Sequence, residues 1–223
     1  MVTYAVRPTC RAMMLVSLLC ALVATCATIP AHAAAPRSSL YVLGDSIAGG
    51  AAQGGKGPYG WPSLVAKQLG LTLRLDGSGG TGYTTGGRQK GGRPYPQRVE
   101  EAVAAKPDVV VVEGSRNDGG RKRTQAAATD TLRRLRAGLP HARILVIGPI
   151  YSYPQRIGSH PIDEAVSAAA KKLGMPYVSA VRRGWFTGSA HRFIGSDGVH
   201  PTNAGHAYLA RQIRPELSRL LRT

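Results

Sequence analysis

The run DVVVVEG, residues 108–114, constrains the fold of this chain more than any other stretch. Four consecutive valines do not alternate with polar residues, so the strand they form needs apolar cover on both faces. Such a strand belongs at the centre of a parallel sheet, between two layers of helix. The rest of the chain supplies suitable neighbours. Residues 39–44 (SLYVLG), 71–77 (LTLRLDG), 142–150 (ARILVIGPI) and 175–180 (MPYVSA) read as further strands. Helical patterns occupy 59–70, 95–106, 123–139, 162–174 and 202–221, with Gly70, Pro107 and Gly174 as stops and Pro215 as a point where the last helix can bend. This alternation predicts an α/β fold, a three-layer αβα sandwich with a five-stranded parallel sheet and right-handed crossovers. Ligands of such folds bind outside the carboxyl ends of the strands.

The first 33 residues stand apart. Arg7 and Arg11 precede the uncharged run AMMLVSLLCALVATCATI, and Ala31-His32-Ala33 follows as a small-residue site. Basic, apolar and small-residue segments in that order predict a secretory signal peptide over 1–33. The protein is therefore expected to be secreted, extracellular or held at the cell envelope. Residues 34–223 suit a single domain. Cys10, Cys20 and Cys26 all fall in the signal segment, so the mature chain is expected to have no disulfide and no thiol nucleophile.

The net charge is +17, and removing Arg7 and Arg11 leaves 27 basic and 12 acidic residues, a net +15. Such a charge attracts anionic surfaces, and a loose association with an anionic envelope surface is one expectation. The arginines are scattered, however, and RKR at 121–123 is the only tight cluster. No nucleic-acid-binding signature accompanies the charge, so no nucleic-acid partner is expected.

Chemistry-bearing residues collect at the predicted strand ends. Ser46 follows the first strand directly, inside YVLGDSIAGG (41–50). A serine hydroxyl needs a general base, and the base needs an orienting partner. Asp197 and His200 lie three residues apart in GSDGVHPTNAGH (195–206), just before the last helix. The second strand ends in DGSGGTG, whose glycines leave backbone N–H groups accessible, and the third ends in EGSRND, where Asn117 offers an amide. An acyl-transfer oxyanion needs such donors.

These blocks resemble the SGNH hydrolases, also called GDSL-type esterases and lipases, and in particular secreted actinobacterial-like members. The family pattern reads here as Gly44-Asp45-Ser46, then Gly80 within GSGGTG, then SRND at 115–118, then Asp197-Gly198-Val199-His200. All four blocks stand in family order across residues 44–200. The resemblance implies a flavodoxin-like SGNH hydrolase fold with Ser46 as nucleophile, His200 as base and Asp197 as its partner. It implies an oxyanion hole built from the N–H groups of Ser46 and Gly80 and the Asn117 amide, with Gly79 and Gly82 as close competitors of Gly80. Ser115 stands where the family usually has glycine.

Other motifs carry less. GSGGTG (77–82) matches a dinucleotide fingerprint, but YTTGGRQKGGRP behind it does not open a helix, as that motif requires. No metal ligand spacing is present, and no cofactor is expected. His141 and His160 have no evident partner, His191 reads as surface, and His206 reads as a packing or capping residue. The loops 49–60, 79–96 and 151–160, with Tyr59, Tyr83, Tyr95, Tyr151 and Tyr153, are expected to line the cleft. The sequence thus points to a monomeric, secreted serine esterase or lipase acting on an acyl ester of a lipid, small molecule or glycan. A carbohydrate O-deacetylase or acyltransferase using the same residues is the alternative. A non-catalytic exported protein that binds an anionic envelope polymer is an alternative of another class.

Overall fold

A computed structural model of the protein describes residues 1–3, 38–88, 90–152 and 160–222. Residues 4–37, with most of the predicted signal peptide, residues 153–159 with Tyr153, Gln89 and Thr223 lie outside the described residues.

The strands are β1 (Ser39–Gly44), β2 (Thr72–Gly77), β3 (Val109–Glu113), β4 (Arg143–Ile147) and β5 (Tyr177–Val178). They form one sheet in the order β2-β1-β3-β4-β5, and every pairing is parallel. The helices are α1 (Ser46–Gly49), α2 (Trp61–Leu69), α3 (Val99–Ala104), α4 (Arg121–Gly138), α5 (Pro161–Lys172) and α6 (Asn203–Leu220). The α/β architecture and five-stranded parallel sheet are those the sequence predicts.

The valine run behaves as its composition demands. Val109 and Val111 point into a core with Leu40, Val42, Trp61, Val65, Leu209 and Ile213. Val110 and Val112 point the other way, against Val99, Leu132, Leu135, Val166 and Ala169. Thus α2 and α6 cover one face, while α3, α4 and α5 cover the other. In α4 the buried residues Ala128, Thr131, Leu132 and Leu135 follow the helical repeat. In α5 Pro161 opens the helix, Asp163 and Glu164 fill the first turn and Lys171 and Lys172 the last, matching the helix dipole.

Several boundaries differ from expectation. Residues 57–59 form a 3-10 turn rather than the start of α2, and 95–98 form another before α3. The fifth strand shrinks to two residues, because Ser179 Oγ accepts the N–H of Arg182 and turns the chain. The short helix α1 was not foreseen.

The pairing register sets the site. Gly44 stands beside Gly77, Leu43 beside Val112, and Glu113 beside Ile147. The carboxyl ends of β1, β2, β3 and β4 therefore form one level edge. The chain runs from β1 outward to β2 and then crosses back to β3, so the switch in strand order falls between β1 and β3, where a crevice opens.

Candidate active site

Ser46 is the first residue of α1, separated from the end of β1 by Asp45 alone. Asp45 caps this helical turn, with its Oδ1 accepting the Ile47 N–H at 2.7 Å. Gly49 and Gly77 touch backbone to backbone, and a Cβ on either would collide with the other, so only glycines allow α1 to lie on the end of β2.

His200 comes from the loop ahead of α6. Its Nε2 is 2.9 Å from Ser46 Oγ, and its Nδ1 is 2.7 Å from Asp197 Oδ2. Asp197 Oδ1 also accepts the backbone N–H groups of Val199 and His200, both at 2.9 Å. Partial burial of Asp197 favours the neutral acid. The hydrogen bonds from the His200 ring and the two backbone N–H groups outweigh it and hold the carboxyl down at about 2. An ionised carboxylate on Nδ1 calls for a proton there, which leaves the Nε2 lone pair facing the serine hydroxyl.

The crevice beside these residues has a volume of about 350 Å³, and its walls include Ser46, Gly50, Gly80, Arg116, Asn117 and His200. It continues into a second hollow of about 570 Å³ that shares Gly79, Gly80 and Asn117 and adds Thr85, Gly87 and Arg88. Gly80 has φ +72°, and no acceptor among the described residues meets its N–H. Gly82 leaves the contest, because its N–H is bound to Thr85 O at 2.8 Å. Asn117 is exposed to the crevice, and its Nδ2 reaches Thr81 O at 3.0 Å and Asp45 Oδ2 at 3.2 Å. Both partners are pure acceptors, so the amide nitrogen must face them. Ser115, at the family's glycine position, is fully buried, and its Oγ is 2.7 Å from both Asp45 Oδ2 and Thr81 O.

Two expectations need correction. Tyr83 and Tyr95 do not line the crevice; they are buried in the core, edge to face at 4.9 Å, and the Tyr95 hydroxyl donates to Glu113 O. His160 has partners: its Nδ1 accepts the Ile162 N–H as the cap of α5 and lies 3.1 Å from the Tyr151 hydroxyl. In the RKR cluster, Arg121 pairs with Glu164 and Arg123 with Gly119 O. His206 packs and caps as foreseen, its Nδ1 accepting the Trp61 N–H at the start of α2.

Sequence reasoning missed the struts beneath the site. Arg98, 2% exposed, pairs with Asp76 at 2.6 Å and also reaches Gly44 O and Thr81 Oγ1, tying the ends of β1 and β2 to the glycine loop. Asp118 receives the N–H groups of Tyr83 and Thr84 and so anchors that loop to the end of β3.

The family model described as GDSL-like Lipase/Acylhydrolase matches residues 42–208, from β1 into α6. The chain belongs to this family. A GDSL lipase of Mycobacterium tuberculosis is 31% identical over 188 residues, which cover 79% of this chain and 80% of that protein. Among solved structures, the lipase/acylhydrolase from Enterococcus faecalis superposes with a TM-score of 0.62 at 15% identity, over 80% of this chain and 96% of that one. The carbohydrate acetylesterase Est24 from Sinorhizobium meliloti gives 0.62 at 15% identity, over 82% and 100%. A family two carbohydrate esterase from Cellvibrio japonicus gives 0.63 at 20% identity, over 83% of this chain and 62% of that one. This GDSL-family protein is an ester hydrolase with the SGNH hydrolase fold.

Proposed function

We propose that this GDSL-family hydrolase is a secreted serine esterase that cleaves carboxylic esters through an acyl-enzyme on Ser46. The observation that carries the reading is the unbroken relay from Asp197 through His200 to Ser46, ending at a crevice wall. Ser46 Oγ attacks the ester carbonyl carbon while His200 Nε2 takes the hydroxyl proton. Asp197 holds the imidazole in the required tautomer and offsets the charge the ring acquires. The N–H groups of Ser46 and Gly80 and the Asn117 amide receive the oxyanion. The intermediate collapses, and His200 gives its proton to the departing alcohol. Water, deprotonated by His200, then releases the acid. The relay is complete within one chain, so the proposed chemistry needs no residue from a second copy. The basic, apolar and small-residue order of residues 1–33 supports export.

A polar or short acyl ester is favoured over a long lipid chain. The hollow beyond the crevice is walled by Gly79, Gly80, Thr85, Gly87, Arg88 and Asn117, which among the described residues offer no apolar trough for an alkyl chain. That favours an acetylated glycan as the second reading, in line with the carbohydrate esterases of similar fold.

Ser46→Ala tests the reading. The variant is expected to keep the fold, lose nearly all ester hydrolysis and fail to take up a fluorophosphonate probe. Turnover retained in purified Ser46→Ala would overturn it. Rates over an ester chain-length series, beside acetylated glycans, identify the acyl class.

A further inference from the structure

Two carboxyl groups lie buried side by side beneath Ser46, and the esterase chemistry uses neither. Asp45 is 1% exposed and Glu113 is wholly buried. The strand register brings Glu113 next to Gly44, where a Cβ would stand 3.4 Å from Glu113 Cβ and 3.8 Å from its carboxyl carbon. Glu113 thus lies against the end of β1, directly before Asp45, and the two carboxyls are close enough to shift each other's ionisation.

The donors divide unequally between them. Asp45 receives three: the Ile47 N–H on Oδ1, and Ser115 Oγ and Asn117 Nδ2 on Oδ2. Glu113 receives one, from the Trp61 indole to Oε2 at 2.7 Å. Its Oε1 is buried, and no N–H or hydroxyl of the described residues meets it. Two ionised carboxylates side by side in a dry interior, with no cation on either, would be too costly to persist. One proton must be shared, and the better-solvated Asp45 is the group that can give it up. The bare Oε1 of Glu113 is where that proton belongs. Burial, then the Asp45 charge, push the Glu113 carboxyl well above the usual carboxylate range, in the same direction.

We propose that Glu113 is a positioning residue of the esterase: it holds a proton at neutral pH, donates it to Asp45, and thereby fixes the carboxylate that caps the Ser46 turn and holds the Asn117 amide. The proposal rests on the roles given above to Ser46 and Asn117. The groups facing the pair are few. Tyr95 and Arg98 approach from the segment before α3, with Tyr83 beside Tyr95. His200 faces Asp45 from the loop before α6, and the uncharged Trp61 indole comes from α2, itself held by His206 of α6. Arg98 spends its contacts on Asp76, Thr81 and Gly44 O rather than on either acid.

A proton held by the folded protein and released on unfolding makes stability fall as pH rises, from about 4.5 up to the raised folded value. The associated factor is about tenfold in the unfolding constant per pH unit. Glu113→Gln mimics the protonated acid, with an N–H₂ toward Asp45 and a carbonyl toward Trp61, and it cannot titrate. Urea unfolding at pH 6 and pH 7 should show the wild type losing about tenfold more than Glu113→Gln. Glu113→Leu keeps the bulk but removes both bonds. Its kcat per folded molecule should drop about tenfold, the equivalent of one hydrogen bond to a charged group, with KM nearly unchanged. Glu113→Gln should restore most of that loss.

Equal pH slopes for wild type and Glu113→Gln would overturn the proposal, and so would a wild-type kcat in Glu113→Leu. If Glu113→Leu does not fold, the Gln comparison decides alone. A wild type inactive on every ester, yet showing the slope difference, would overturn the esterase reading and uphold the shared proton.

Discussion

Ser115 Oγ lies 2.7 Å from Asp45 Oδ2, joining the end of β3 to the turn that carries Ser46 across 70 residues of chain. The same oxygen accepts the Asn117 backbone N–H at 2.9 Å. Ser115 thus fills the family's glycine position with a buried hydroxyl that ties the third block to the first.

Ser115→Ala is expected to destabilise the protein by about 1–3 kcal/mol, since it strips a donor from a buried carboxylate and an acceptor from a backbone N–H. It should also lower kcat, because the Asn117 turn loses a tether. Urea unfolding and steady-state kinetics read both effects. Unchanged stability would mean that the hydroxyl contributes nothing the family's glycine lacks.

His206 governs stability in acid. It is 1% exposed, and burial, reinforced by His200, lowers its pKa from 6.5 to about 4. The folded value lies below the unfolded one, so the unfolded chain gains its proton first as pH falls. The stability from a neutral His206 is complete above about pH 6.5 and is lost as pH drops toward 4. The loss should approach roughly 3 kcal/mol. His206→Asn keeps an acceptor for the Trp61 N–H but does not titrate there. Relative to the wild type, it should therefore hold its stability between pH 7 and pH 4.5. Parallel pH profiles for the two proteins would contradict this.

The fold was legible because each strand announced itself locally. DVVVVEG needed cover on both faces wherever it sat, and the helices between the strands carried their own stops. Ser46 and Asn117 were legible because they follow strand ends, where a parallel sheet exposes side chains, and Asp197 and His200 because they stand three residues apart just before the last helix. The supports were not. Glu113 looked like the polar close of an apolar strand, and its role depends on Trp61, 52 residues upstream, and on Asp45. Tyr83 and Tyr95 lie in a glycine-rich segment that reads as surface loop. They are buried because Arg98 and Asp118 pull that segment down onto the sheet edge. Nothing local in a sequence encodes such long-range pairings.

Charge at the cleft should steer substrate choice. Arg116 is a crevice wall, its guanidinium held by Ser152 Oγ at 3.2 Å, and Arg88 flanks the second hollow. Arg116→Gln should cut kcat/KM for anionic esters by up to about fivefold and spare neutral ones, the range of an exposed ion pair. Added salt should reduce the wild-type preference. An identical salt response for neutral and anionic esters would leave the net +15 without a role at the site.

Asn117 separates the oxyanion hole from the nucleophile. In the free protein its Nδ2 serves Thr81 O at 3.0 Å and Asp45 Oδ2 at 3.2 Å, and these two acceptors fix the amide at the crevice. An oxygen that becomes anionic only along the reaction path would compete for the longer of these bonds. Removing the amide should therefore lower kcat far more than it raises KM. Loss of one such donor typically costs on the order of 100- to 1,000-fold in rate. Asn117→Ala should still take up a fluorophosphonate probe, slowly, because Ser46 and His200 remain paired. Asn117→Asp should be at least as damaging, since its carboxylate would face both Asp45 and the developing charge, and it should unfold more readily than Asn117→Ala. Were Asn117 only a turn residue after β3, Asn117→Ala would change stability and leave kcat near the wild-type value. Kinetics on folded Asn117→Ala distinguish the two: a near-wild-type kcat would take Asn117 out of the oxyanion hole and leave the task to the Ser46 and Gly80 N–H groups.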